Sequence, residues 1–230
     1  MSRELGREVP GWVARPVPPP SPIAGRYVRI EKLDPAHHAS DLWGQVAGAE
    51  PIWDFLPYGP FLSLAAFTDW LTERALPADP LCFAVIDRGR GQAQGLLSLM
   101  EVRPAAGVIE VGHILYAPAL QRTAAATEAI YLAARLVFEE LGYRRFEWKC
   151  NDLNAASKRA ALRFGFTFEG VFRQHNVVKG RNRDTAWFAM LDGDWPARKA
   201  AFGKWLQPDN FDAAGRQRTA LSALNGVGAS

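Results

Sequence analysis

The 230-residue chain is poor in cysteine, histidine and methionine, with two, four and three of each. Cys82 and Cys150 each lie in a strand-like run, with no second cysteine or histidine at metal-ligand spacing. They are read as buried free thiols, and no metal is expected. No stretch reaches the roughly 18 consecutive apolar residues that a membrane span needs. The opening MSRELGREVPGW lacks the apolar centre of a secretion signal, so a cytoplasmic location is expected. Internal repeats and low-complexity tracts are absent. The basic excess is small, at +3, and dispersed. Its densest run, KGRNR from Lys179 to Arg183, reads as a solvated hairpin turn, so no nucleic-acid partner is expected.

One further absence is local. QRTAAATEA, from Gln121 to Ala129, joins the strand-like VIEVGHILY to a long apolar helix pattern, yet contains no glycine. Turns that cradle a phosphate usually carry glycine, because backbone N–H groups must approach an anion unobstructed. The segment is either an alanine-rich helix start or an anion-binding turn built without glycine. In the second case the N–H groups of Arg122 to Ala126 are unpaired donors at the positive end of the helix dipole.

Hydrophobic content of 48% is enough for a sizeable core. Residues 1–25 hold six prolines and three glycines and read as an extended arm; 26–206 form the body, and 207–230 a tail ending in NGVGAS. In the body, YVRIEKL alternates as a strand, and two amphipathic helices follow, around His37–Gly48 and Leu62–Leu76. LCFAVID, QGLLSLMEV and VIEVGHILY then form a meander. A helix to Leu141 closes at Gly142, RRFEWKC forms a strand, and a helix capped by Asn154 ends at Gly165. A hairpin and a last helix, Trp195–Leu206, complete the order. A meander feeding a strand–helix–strand unit makes an α/β fold with a mixed sheet covered on both faces.

EVGHILYAPALQRTAAATEA, followed by CNDLNAASKRAALRFGFTFEGVFR, resembles the GNAT superfamily of acyl-CoA N-acyltransferases, and within it the ribosomal-protein-alanine N-acetyltransferase branch. The resemblance covers about residues 25 to 195. It departs from the family pattern in the turn, where Arg122 and Ala124 occupy the glycine positions. It implies a GNAT fold: a mixed, mostly antiparallel seven-stranded sheet with a V-shaped splay between two central parallel strands. It also implies acetyl-CoA as co-substrate, its pantetheine along Ile114, Leu115 and Tyr116 and its diphosphate on Gln121, Arg122, Thr123, Ala124, Ala125, Ala126 and Thr127. Asn154 and Ser157 match cofactor-side residues on the second helix; for Asn154 a plain N-cap role is compatible with this.

Glu110 is the candidate base that deprotonates the amine, and an exposed or salt-bridged strand carboxylate is the competing reading. Ser157 is the candidate acid toward the departing thiolate, with Tyr116 in reserve. His113 ranks behind Glu110, because strand parity points the two to opposite faces unless a bulge intervenes. Trp53, Phe55, Tyr58 and Phe61 are the expected acceptor wall, with His113 beside them, and core packing is the competing reading. The arm is expected to lie across that wall. The expected activity is acetyl transfer to a primary amine, either a small molecule or a protein N-terminus. The alternative is a catalytically weak module that binds coenzyme A or associates with RNA. A homodimer is admitted as an assembly.

Overall fold

The computed structural model describes residues 5–226. One eight-stranded sheet organises the chain: β1 (Ile23–Ala24), β2 (Val28–Lys32), β3 (Leu81–Asp87), β4 (Gln92–Arg103), β5 (Val108–Tyr116), β6 (Arg145–Asn151), β7 (Thr167–Val178) and β8 (Arg181–Leu191). Their order across the sheet is β1-β2-β3-β4-β5-β6-β8-β7, and only β5 and β6 pair in parallel. The strand count exceeds the expected seven. The extra strand is β1, which forms where Ile23 buries its side chain and pairs with Ile30.

The helices begin and end on local chemistry. In α1 (Pro35–Val46), the Asp34 side chain accepts from the Ala36 N–H. Ser63 caps α2 (Leu64–Ala75) in the same way, through Ala66. The helix after β5, α3 (Ala124–Arg135), runs on through a π-helical turn, Leu136–Glu140, and stops at Gly142 with φ +69°. Asn154 caps α4 (Ala155–Phe164), which closes on Gly165 with φ +92°. Lys179 and Gly180, both at positive φ, turn the β7–β8 hairpin.

Two cores lie on opposite faces of the sheet. On one, α3, α4 and α5 (Trp195–Trp205) cover Ile109, Val111, Phe146, Trp148 and Phe188. On the other, α1 and α2 cover Cys82, Ala84, Ile86 and Leu96, with Trp53 among them. Residues after Leu206 fold back onto the first core: Leu221, in the short helix α6 (Leu221–Leu224), is fully buried, and Arg198 donates to the Asn225 carbonyl at 2.7 Å. The expected tail end, Val227 to Ser230, falls outside the described residues.

The arm does not lie over the aromatic segment. Trp12 donates its indole N–H to the Ala105 carbonyl, the Arg15 N–H pairs with the Pro104 carbonyl, and the Tyr143 hydroxyl donates to the Pro16 carbonyl. These contacts tie it to the β4–β5 turn and the start of β6, at the far end of β5. The Trp12 ring, sandwiched by Arg15 at 4.4 Å and Arg144 at 5.8 Å, explains the choice of place. No helix among the described residues is long and apolar enough to cross a membrane.

Candidate active site

The parallel pairing of β5 and β6 covers four residue pairs, from Val108↔Arg145 to Val111↔Trp148, and then stops. β5 continues to Tyr116 and β6 to Asn151, so the two strands part and, among the described residues, that edge of β5 from Gly112 onward has no strand partner. A bulge coincides with the parting. Leu96 faces Leu115 and Ser98 faces Gly112, which leaves His113 and Ile114 opposite Leu97 alone. His113 takes φ +49° to make this possible.

The bulge overturns the parity expectation. His113 lies against Tyr58 on the α1–α2 face, with Nδ1 and the Tyr58 hydroxyl 3.2 Å apart. Glu110 points to that face too: its carboxylate is 3.3 Å from where a side chain on Gly112 would begin, and Gly112 pairs with Ser98, which bonds Cys82 of the same core. Acid and imidazole therefore lie on the same face of the sheet. Ile114 and Tyr116 pack against the opposite core, while Leu115 is buried under α1 and α2.

Glu110 is almost wholly buried and accepts from Lys149 Nζ at 2.7 Å. The same ammonium lies 3.1 Å from Glu147 and 4.1 Å from the centroid of the Trp187 ring. Burial pushes the Glu110 carboxyl above its ordinary range, and Lys149 pulls against that without cancelling it. His113 is pushed down to about 4, by burial first and then by the charges of Arg74 and Arg183. At neutral pH it is an uncharged imidazole and a weak base. Burial raises the Tyr58 phenol, so it stays protonated and able to donate to His113.

The turn before α3 is built without glycine, on a residue at positive φ. Arg122 stands at φ +63°, the left-handed conformation that a glycine would adopt without strain, at a cost of about 1–2 kcal/mol. The N–H groups of Arg122, Thr123, Ala124 and Ala125 have no partner among the described residues. Ala126 differs from the expectation: its N–H is taken by Thr123 Oγ1 at 3.1 Å, because Thr123 is an N-cap. Gln121 supports the turn by donating to the Tyr116 carbonyl at 2.9 Å, and the Thr127 hydroxyl donates to the Thr123 carbonyl. An open cavity of about 660 Å³ lies against this helix start, bordered by Arg26, Tyr27 and Arg88 and, as its one acid, Asp87. Four free donors, a dipole end and basic neighbours suit a diphosphate.

Other expected site residues are placed as follows. The Asn154 side chain accepts the Ser157 N–H at 3.0 Å, the N-cap role. Ser157 Oγ accepts from the Trp148 indole at 3.0 Å, and its hydroxyl lies against the Cys150 thiol beside the parted strands. Tyr116 is partly buried, its phenol raised by burial and 3.5 Å from the Ala126 carbonyl. Trp53 is only 2% exposed and packs edge-on against Tyr58, Phe61, Phe67 and Trp70. Phe61 is half-buried in that aromatic stack, and Phe55 is exposed. Of the four, Tyr58 is the one bonded to β5. Lys149, Trp187, Arg74 and Arg183 were missed by sequence reading. The alternation of RRFEWKC did carry a signal for Lys149, since it shares a face with Glu147.

A family model described as the acetyltransferase (GNAT) domain matches residues 28–167, more than half of the chain and the whole of β2 to α4. The chain belongs to the GNAT acetyltransferase family. Among solved structures, a GCN5-related N-acetyltransferase from Brucella melitensis is 47% identical, with a TM-score of 0.93 over 95% of this chain and 100% of that one. A GNAT-family chain from Chromobacterium violaceum is 44% identical, with a TM-score of 0.78 over 85% and 100%. A Salmonella typhimurium acetyltransferase that modifies an N-terminal serine of a 50S ribosomal subunit protein shares the fold, with a TM-score of 0.63 at 18% identity over 73% and 96%. No curated protein matches the sequence.

GNAT membership makes this an acetyltransferase, and acetyl-CoA is the co-substrate of that family; a charge placed at the α3 start tests whether the coenzyme's diphosphate binds there. Ala124→Asp is expected to weaken acetyl-CoA binding by at least ~1 kcal/mol, because a carboxylate at a free helix-start N–H competes with a diphosphate. Calorimetry on the folded variant reads this directly, and unchanged affinity would remove the diphosphate from the turn.

Proposed function

We propose that this GNAT protein transfers acetyl from acetyl-CoA to a primary amine that lies over β5 on the α1–α2 face and attacks the thioester directly. The observation that carries the reading is the parting of β5 from β6 beyond Val111 and Trp148, with free helix-start donors at one end and the buried Glu110 at the other. Acetyl-CoA supplies the activated acyl carbon and the thiolate leaving group. Its pantetheine amides suit the unpaired edge of β5, as a peptide suits an open sheet edge, and its diphosphate suits the N–H groups of Arg122 to Ala125.

The chain's own residues then handle protons. Glu110 takes the proton of the incoming amine, directly or through one water, and its raised carboxyl is better matched to that task than an ordinary one. Lys149 holds the Glu110 carboxylate in place. Ser157, whose Oγ is fixed by the Trp148 indole, stabilises charge on the departing thiolate and relays a proton to it. Neutral His113, bonded to Tyr58, orients the acceptor.

Support for a small or narrowly held amine comes from the β7–β8 hairpin, whose tip donates Lys179 Nζ to the Trp53 carbonyl at 2.9 Å. That contact bridges the two walls of the cleft, whereas an extended protein chain needs an open groove. The test is release of coenzyme A thiol from acetyl-CoA in the presence of small amines and N-terminal peptides. Amine-dependent release is expected, and acetyl-CoA binding without release for any amine would leave a coenzyme-binding module instead.

A further inference from the structure

Two cations, Arg74 on α2 and Arg183 on β8, lie in the surroundings of His113. Arg74 projects from α2, its guanidinium carbon 6.0 Å from the centre of the Tyr58 ring, and Tyr58 bonds His113. Arg183 projects from β8 with the strand parity of Thr185 and Trp187, the face on which the Trp187 ring covers Lys149. Both charges bear on His113. Two acids of the Lys149 cluster are committed elsewhere: Glu110 to Lys149, and Glu147 to Lys149, Arg103 and Arg145. Among the described residues, neither Arg74 nor Arg183 has a carboxylate partner at ion-pair distance.

Their unmet donors are as telling as their charge. Nε of Arg74 and of Arg183 is buried without a hydrogen-bond acceptor, and so are the indole N–H groups of Trp70 and Trp187. Proteins rarely leave such donors unpaired, since each costs free energy that a ligand oxygen would recover. A guanidinium is the side chain whose planar fork matches a carboxylate in two parallel hydrogen bonds. A polycationic amine would instead meet two fixed like charges.

We infer that the acceptor is an amine bearing a carboxylate, a free amino acid or close analogue, whose carboxylate is clamped by Arg74 and Arg183 while its amine faces Glu110. This rests on the acetyl-transfer reading above and names its substrate class. The clamp also gives the hairpin contact a purpose: Arg183 lies near the hairpin end of β8, so the Lys179 tether to Trp53 holds its wall opposite Arg74.

The experiment pairs binding with turnover. Free L-amino acids, their amides and their decarboxylated amines are titrated calorimetrically into the full-length protein with coenzyme A present, and then assayed for thiol release with acetyl-CoA. At least one amino acid is expected to bind and react about tenfold or more better than its amide and its decarboxylated amine, the scale of one charge-assisted hydrogen-bond pair. Arg74→Gln and Arg183→Gln should each weaken that amino acid about tenfold or more, leaving the amide and the acetyl-CoA KM unchanged. Amides or decarboxylated amines that bind and react as well as amino acids would overturn the clamp and leave acetyl transfer standing. Selective, arginine-dependent amino-acid binding without thiol release would keep the clamp and overturn acetyl transfer. Unchanged discrimination in both variants would overturn the clamp.

Discussion

Glu110→Gln is expected to lower turnover roughly 100-fold or more, about 2.7 kcal/mol of barrier, while acetyl-CoA affinity stays nearly intact. The amide keeps the size of the side chain and can still accept from Lys149, so the loss isolates proton transfer from packing. Glu110 is on the opposite face of the sheet from Trp148 and Ser157, which spares the coenzyme side. The pH profile supplies an independent reading. Burial raises the Glu110 carboxyl, so at fixed free-amine concentration the rate should fall as pH drops through a value above the ordinary carboxylate range, as the base becomes protonated. That acidic limb should vanish in Glu110→Gln. Lys149→Met removes the charge opposing the shift and should move the limb to higher pH. Full turnover of Glu110→Gln at every pH would eliminate the role and leave deprotonation to solvent, because His113 at about 4 is too weak a base to replace it.

The second large effect is on stability. Glu128, on α3 one turn beyond the helix start, is 5% exposed, and its carboxylate accepts from the backbone N–H groups of Arg26, Tyr27 and Val28. One side chain thus satisfies three donors at the entry to β2 and clasps α3 to the sheet. Gly25 has to be glycine here, because a side-chain carbon would overlap the Glu128 carboxylate. Glu128→Ala leaves those donors without acceptors, and at ~1 kcal/mol or more each the loss should reach at least ~3 kcal/mol. Urea denaturation reads it as a lower midpoint with an unchanged slope. An unmoved midpoint would show that water replaces the clasp at no cost. The same variant should loosen the α3 start and weaken acetyl-CoA binding, a coupling that a purely peripheral carboxylate would not have.

Much of the fold was legible because its signals are local. Alternation marked β2 and β6, Gly142 and Gly165 marked helix ends, and Lys179-Gly180 marked a hairpin turn, each through backbone preferences of single residues. The features that escaped depend on distant partners. The β5 bulge sits at His113, a residue with no strong turn signature, and exists because two residues must oppose Leu97 alone. It decides the site, since it brings His113 to the Glu110 face. Glu128 read as part of a helix-start motif, and nothing local announces a clasp to residues 100 positions earlier. The arm's destination depends on a tryptophan finding two arginines and one carbonyl. Trp53 looked like a pocket aromatic, yet is enclosed by Phe61, Phe67 and Trp70. An aromatic cluster in sequence cannot tell wall from core until the second layer of helices is placed.

Acetyl-CoA is proposed to be held by a glycine-free turn and a parted strand pair. Residue-resolved amide hydrogen exchange with and without acetyl-CoA tests it most directly. The N–H groups of Arg122 to Ala125 are unpaired in the free protein and should exchange fast, whereas Ala126, capped by Thr123, should exchange more slowly. With acetyl-CoA, new protection is expected at Arg122, Thr123, Ala124 and Ala125, joined by protection within Gly112 to Tyr116 on the open edge of β5. Protection confined to other segments, with these amides exchanging as fast as before, would contradict it.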